Sequence, residues 1–287
     1  MVLGLVENLM LVSSLELARY TVANVHFIEQ FTMAQVEPIN AFDDNYIWAI
    51  RDTPKKQVWV VDPGQAEPVL SYLQQHDATL AGILITHHHW DHTNGVAELV
   101  DAFPGITVYG PEHSKFNGIT HPLDAGDTID ILDFTLTILR TPGHTLDHIC
   151  YTNNALCFTG DTLFSAGCGR LFEGSAEQMW HSFQQFSQFS DRTLIYCTHE
   201  YTSANLAFAA AVEPDNDNIR AHIDWVTAQR TKGLPSLPTN FGLERQINPF
   251  LRANLAHMCH HLPPHLTYST QHPWNNFAAI RAWKDEF

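Results

Sequence analysis

The feature that most narrows what this chain can fold into is a junction. The apolar run LAGILIT, residues 80–86, leads straight into HHHWDH, residues 87–92. A short continuous apolar run is the pattern of a strand covered on both faces, so the chain needs layers on either side of its sheet. Such a strand delivers the imidazoles to a loop at its C-terminal end, where function in layered α/β folds tends to sit. Four histidines and one aspartate in six positions make either a solvated loop or part of a metal site. One segment cannot close all of these donors around a single ion, so the metal reading requires further donors at distant positions.

Those donors exist. His144 follows TILRTPG, Asp161 follows ALCFTG and His199 follows LIYCT, each at the end of a strand-like run. A lone loop histidine is usually structural, but four separate strand ends finishing on a metal-binding residue are hard to obtain by chance. Imidazoles and carboxylates without thiolate suit Zn, Fe or Mn in a catalytic site, whereas structural zinc usually recruits cysteine. The candidates are His87, His89, Asp91, His92, His144, Asp161 and His199. Seven donors exceed what one tetrahedral ion takes, and they fit two ions sharing a bridging carboxylate.

Composition sets the boundaries. A length of 287 residues allows two domains, and 45% hydrophobic with 16% charged residues is the composition of a globular protein. The net charge of −16 repels a phosphate backbone, so no nucleic-acid partner is expected. The five cysteines are scattered and never spaced CxxC, which reads as reduced thiols in a cytoplasmic protein. No apolar run reaches the roughly 20 residues of a membrane-spanning helix, so no membrane association is expected. The first residues are apolar but lack a basic start, and Glu7 interrupts them. This makes a poor signal peptide, and residues 1–32 are read as an N-terminal extension outside the core.

From Met33 the text alternates strands and turns. NYIWAI and QVWVV read as a hairpin around RDTPKK, and AEPVLSYLQQH as an amphipathic helix. GVAELVDAF reads as a helix, ITVYG as a strand, FTLTIL as a strand by its alternation, and HICYT with ALCFTGD as a strand pair around NN. SAEQMWHSFQQFSQF is a helix with a serine N-cap. After Tyr201 strands disappear: SANLAFAAAVEP, NDNIRAHIDWVTAQRTK and NFAAIRAWKDEF are helical, with a loop at Pro235 and Pro238. A boundary near residue 203 is expected, giving a catalytic domain over 33–203 and a smaller helical domain over 204–287.

HHHWDH, PGHT, FTGDTLF and THEY, in that order, resemble the metallo-β-lactamase superfamily. Within it FDDNY, VVDPG, AGCGRLFEG, NPFLR and RAWKDEF resemble the glyoxalase II (hydroxyacylglutathione hydrolase) family, over about Met33 to Phe287. The resemblance implies an α/β fold, the four-layer αββα sandwich, followed by a smaller all-helical C-terminal domain. It implies two divalent metal ions, zinc with iron or manganese as alternatives. His87, His89, His144 and Asp161 would hold one ion, and Asp91, His92, Asp161 and His199 the other. Asp91 and Asp161 would act in catalysis with a hydroxide between the metals. The implied reaction is hydrolysis of the thioester S-D-lactoylglutathione to D-lactate and glutathione, the second step of methylglyoxal detoxification, by a monomer. Arg170, Phe172, Tyr201, Arg281 and Lys284 match the family's substrate-binding positions, and Arg281 and Lys284 share a helix face by their i, i+3 spacing.

Three departures stand out. Phe172 replaces a tyrosine, Arg170 replaces a lysine, and Asp147 stands where glycine is frequent and is expected to tolerate a left-handed backbone. Among the remaining conspicuous residues, His88 is expected to point away from His87 and His89, and His148 to be packed. Asp62 is expected to fix a ligand imidazole, and Cys168 to have no nucleophilic role. His257, His260 and His261 read as a surface cluster without carboxylate support. The rival readings are a single-iron persulfide dioxygenase, an RNA-cleaving zinc phosphodiesterase and a non-catalytic scaffold. The first is disfavoured by the RxxKD ending, the second by the acidic charge, and the third by the intact donor set.

Overall fold

The computed structural model describes residues 35–266 and 269–287; the extension read over residues 1–32 lies outside them. The first sheet comprises β1 (Gln35–Ala41), β2 (Asn45–Asp52), β3 (Gln57–Val61), β4 (Thr79–Leu84), β5 (Thr107–Pro111) and β6 (His121–Leu123), in that order. β1, β2 and β3 are joined antiparallel, while β3 to β6 run parallel. Parallel neighbours need crossovers. Helix α1 (Ala66–Gln75) links β3 to β4, and α2 (Trp90–Thr93) with α3 (Val96–Ala102) links β4 to β5.

The second sheet comprises β7 (Thr128–Ile131), β8 (Phe134–Arg140), β9 (Ile149–Thr152), β10 (Leu156–Gly160), β13 (Leu194–Cys197) and β14 (Thr239–Asn240). Its order is β14-β13-β10-β9-β8-β7. A small hairpin, β11 (Leu163–Phe164) with β12 (Gly167–Cys168), leaves it after β10. Helix α4 (Ala176–Gln185) starts from the expected serine: Ser175 and Gln178 form a reciprocal capping box. The C-terminal helices are α5 (Thr202–Val212), α6 (Asp217–Thr231), α7 (Phe241–Ile247) and α8 (Asn275–Glu286).

Side-chain alternation builds the layers. On β2, Trp48 and Ile50 face the core between the sheets, where they meet Ile138, Tyr151 and Phe158 of the second sheet. Ile47 and Ala49 face the other way, onto Val69 and Leu73 of α1 and Val96 and Leu99 of α3. The apolar LAGILIT run is explained by its central place: Leu84 belongs to the inter-sheet core and Ile83 to the outer one. The outer face of the second sheet, with Cys150, Cys157 and Ile195, is covered by Met179 and Phe183 of α4, Phe208 of α5, and Phe277 and Ile280 of α8. The result is a four-layer αββα sandwich whose last layer draws on the C-terminal helices. All five cysteines are free and buried. Among the described residues no helix is long and apolar enough to cross a membrane.

Strands do not end at Tyr201, as the texture of the sequence implies. β14 returns from the helical segment and pairs antiparallel with β13. Two residues are too few for a period-2 signal. Beside it, the fully buried Glu244 of α7 accepts from Ser165 Oγ (2.8 Å), Thr239 Oγ1 (2.7 Å), Ala166 N (2.8 Å) and Asn248 Nδ2 (3.1 Å). This carboxyl group ties the helical segment to the hairpin, where Ala166 holds a left-handed φ of 53°. Removing it would strand several buried donors at about 1–3 kcal/mol each. Glu244→Ala is therefore expected to cost about 3 kcal/mol or more, read as a fall in Tm, whereas Glu244→Gln retains most of the stability.

Candidate active site

The donors meet because the relevant strands end at one edge. His87 and His89 lie in the loop after β4, and Asp91 and His92 in the single turn of α2. His144 sits in the turn between β8 and β9. Asp161 follows β10 and His199 follows β13, and these two strands run parallel, so both residues emerge side by side.

The inner atoms form two groups that share Asp161. In one, His87 Nε2 lies 3.1 Å from His89 Nδ1, which lies 3.0 Å from His144 Nε2, itself 3.3 Å from Asp161 Oδ2. In the other, Asp91 Oδ2 is 3.5 Å from both His92 Nε2 and His199 Nε2. Asp161 Oδ1 is 3.5 Å from His92 Nε2, and Oδ2 is 3.4 Å from His199 Nε2. Ligands about 2.0–2.1 Å from a tetrahedral cation stand about 3.3–3.4 Å apart. The carboxylate contacts have that spacing, and the 3.0–3.1 Å imidazole pairs, which one proton on His89 Nδ1 can satisfy only in part, are close enough to share a cation. His92 Nε2 and Asp161 Oδ1 are buried with no hydrogen-bond partner. Burial, reinforced by neighbouring imidazoles, holds His87 well below the usual histidine range and brings His89 down to about 4, so both are neutral donors. The residues fit divalent metal.

An outer ring aims the imidazoles. Nδ1 of His87 meets Thr86 Oγ1 (3.0 Å), that of His92 meets Asp62 Oδ2 (2.9 Å), that of His144 meets the Arg170 carbonyl (2.8 Å), and that of His199 meets Asp44 Oδ1 (2.8 Å). Each contact fixes a tautomer and turns Nε2 inward. Asp62 also accepts from Thr86 N and Oγ1, both at 2.7 Å, and so orients two imidazoles at once, as the sequence led us to expect for one. Gly64 is required beside it, because a Cβ there would lie 1.8 Å from the Asp91 carbonyl oxygen. Asp62→Ala is expected to weaken divalent-metal binding about 10- to 100-fold in chelator competition.

Five of the donors, His89, Asp91, His144, Asp161 and His199, line a cavity of about 830 Å³ together with Trp90, Phe172, Tyr201, Arg170, Arg281 and Lys284. Arg281 is 5% exposed. It donates from Nη1 to the Cys168 carbonyl (3.1 Å) and from Nη2 to Asp285 (3.0 Å), leaving Nε unpartnered. Lys284 donates to the Ala204 carbonyl and lies over the Phe208 ring. Burial, with Arg281 nearby, brings its ammonium down to about 8. Arg170 is mostly exposed, 3.4 Å from Asp285. Tyr201 stacks on His199, centroids 4.7 Å apart, and Phe172 stands edge-on to His144 at 5.2 Å. All five residues expected to bind substrate therefore border one cavity with the donors.

Other expectations divide. His88 does turn away from His87 and His89, to Asp147 Oδ1 at 2.9 Å. His148 is buried and accepts from Asp161 N at 3.0 Å, a packed residue outside the donor set. Asp147 is corrected: its backbone is not left-handed, and its side chain is buried against His88. The cluster at His257, His260 and His261 is corrected too, since His257 Nε2 meets the Glu213 carboxylate at 2.8 Å. Arg252 already engages that carboxylate. Residues not singled out from the sequence include Asp44 and Asn45, whose amide donates to Asp91 Oδ2 at 3.2 Å. FDDNY was visible as a motif, but its link to the site depends on an isolated bridge between Asn45 and His199.

Comparison with known proteins follows the same lines. The metallo-beta-lactamase superfamily model matches residues 42–199, and the model for the hydroxyacylglutathione hydrolase C-terminus matches 200–287. Hydroxyacylglutathione hydrolase of Pseudoalteromonas translucida (strain TAC 125) is 56% identical over 257 residues, covering 89% of this chain and all of the relative. The protein of that name from Vibrio cholerae (strain ATCC 39541) is 48% identical over 255 residues, with coverage of 89% and 100%. Among solved structures, ETHE1 from Myxococcus xanthus has a TM-score of 0.59 at 24% identity, covering 87% of this chain and 98% of its own. The BLEG-1 B3 metallo-beta-lactamase has a TM-score of 0.56 at 23% identity, with coverage of 76% and 99%. These two likenesses speak for the fold. Matched along their full length by relatives of one name, and divided between the superfamily model and its C-terminal companion, residues 42–287 establish that the chain belongs to the hydroxyacylglutathione hydrolase family.

Proposed function

We propose that this protein hydrolyses S-2-hydroxyacylglutathione thioesters, S-D-lactoylglutathione above all, to the 2-hydroxy acid and glutathione. The observation that carries the reading is Asp161, whose carboxylate reaches His144 of one set of imidazoles and His92 and His199 of the other, at the wall of a cavity that also holds Arg281 and Lys284. His87, His89, His144 and Asp161 would hold one divalent ion, and Asp91, His92, Asp161 and His199 a second, with zinc, iron and manganese all compatible with nitrogen and oxygen donors. Such a pair of ions supplies hydroxide at neutral pH and positive charge where the thioester oxygen becomes negative.

The chain's own residues do the rest. Asp91, held by the Asn45 amide, orients the attacking oxygen. Arg281 and Lys284 receive a glutathione carboxylate, with Arg170 at the mouth, while Tyr201 and Phe172 wall the tripeptide. The helical segment 204–287 supplies much of this grip, and 33–203 supplies the donors. The leaving group is a thiolate whose conjugate acid has a pKa of about 8.5, so it departs without a general acid.

The test is loss of thioester absorbance with S-D-lactoylglutathione, run beside a β-lactam and a persulfide on protein of measured metal content. Thioester turnover with two metal equivalents is expected. Persulfide oxidation with one iron and no thioester turnover would replace the hydrolase reading.

A further inference from the structure

We propose that His88, Asp147 and Glu173 form a clamp that sets the distance between the His87–His89 loop and the His144 turn, making them positioning residues for one of the two metal positions. The inference rests on the binuclear reading above and concerns residues outside its donor set.

The two loops must meet closely, since His89 Nδ1 and His144 Nε2 are 3.0 Å apart. A backbone bond from Ile149 N to Thr86 O (2.9 Å) joins their roots. Tyr151 Oη donates to Ile85 O (2.8 Å) at the same level. His88 supplies another, further out: its Nδ1 is 2.9 Å from Asp147 Oδ1, and its Nε2 is 3.6 Å from Glu173 Oε1. Glu173 in turn accepts from Leu146 N (3.0 Å) and pairs with Lys115, while Glu173 N and Phe172 N both donate to the His144 carbonyl. The imidazole of His88 thus lies between carboxylates from the turn and from the segment that wraps it. Period-2 alternation in the loop puts this side chain on the face opposite His87 and His89, so it can brace them without competing for their cation.

Asp147 is the informative member. It is 6% exposed, and its Oδ2 has no hydrogen-bond partner. Burying a carboxylate with an idle oxygen is costly. The His88 contact offsets that cost, and it ties the choice of aspartate at this position to the geometry of the site. The Asp91, His92 and His199 group takes no part in the clamp, so the effect is confined to the side bearing His87, His89 and His144.

The experiment measures zinc retention against a graded chelator for the wild type, Asp147→Ala, Asp147→Asn and His88→Gln, with Tm of the metal-free proteins as a control. In Asp147→Ala and His88→Gln one equivalent is expected to be lost 10- to 100-fold more readily, the other unchanged. Asp147→Asn, which can still accept from Nδ1, restores it. Cobalt-loaded variants should change the absorption of one ion only. Equal weakening of both equivalents, no change in either, or a third equivalent in the wild type lost in Asp147→Ala would each overturn the clamp. A wild type that holds fewer than two equivalents would instead defeat the binuclear reading.

Discussion

Asp161→Ala is expected to release both metal equivalents together and to lower kcat on the thioester by on the order of 10³-fold or more. The magnitude follows from where the carboxylate stands. Its oxygens approach His92, His144 and His199 at 3.3–3.5 Å, so this one carboxylate reaches donors of both groups. Losing it removes a ligand from each ion and the negative charge that holds two cations near one another. Burial opposes that charge, but His199 and His92 outweigh it and keep the Asp161 carboxyl well below the usual range. The variant therefore also leaves buried imidazoles without their counter-charge, and Tm must be followed. Metal analysis beside kcat decides the matter: one retained equivalent with intact turnover would show that Asp161 does not bridge.

A double variant, Arg281→Ala with Lys284→Ala, is expected to raise KM for the glutathione thioester by about 10- to 100-fold while kcat changes far less. The two cations sit on α8 and border the cavity outside the donor set, so on this reading their contribution to ground-state and transition-state binding is nearly the same. The estimate corresponds to losing hydrogen bonds to a charged group at about 1.5–3 kcal/mol in total, and partial exposure at Lys284 favours the lower end. Arg281 is buried and bonded to the Cys168 carbonyl, so Lys284→Ala alone separates lost grip from lost packing. The wild type should show the same effect with pH. Lys284 is charged below about 8 and neutral above it, so KM should climb as pH rises through that value. A KM indifferent both to the substitutions and to pH would place the tripeptide elsewhere.

Much of the site was legible because its signals are local. His87, His144, Asp161 and His199 each follow a strand-like run, and strand ends in a layered fold share an edge. Local pattern likewise exposed α1 by its apolar periodicity and α4 by its serine cap, and the text of α3, α5, α6 and α8 reads as helical. What escaped was short or depended on a partner. β14 and the single turn of α2 are too brief for periodicity. Asp44 is one acid among the 31 acidic residues of the chain until the Asn45–His199 bridge brings it to an imidazole. Asp147 was assigned a backbone role because its neighbours in sequence say nothing of His88, which lies 59 residues away. The His257 cluster was denied a carboxylate for the same reason, since Glu213 lies 44 residues before it.

The sequence by itself determined the chemistry: which side chains can donate to metal, that four of them follow strands, and that Arg281 and Lys284 share a helix face in a chain of net negative charge. Those are properties of residues and of short-range order, and they need no partner. Only the tertiary structure decided which oxygen of Asp161 faces which imidazoles, what turns each ring nitrogen inward, and how His88 braces the turn that carries His144. Such contacts join segments tens to more than a hundred residues apart, and they form only when packing two sheets and their helices brings those segments within hydrogen-bonding distance.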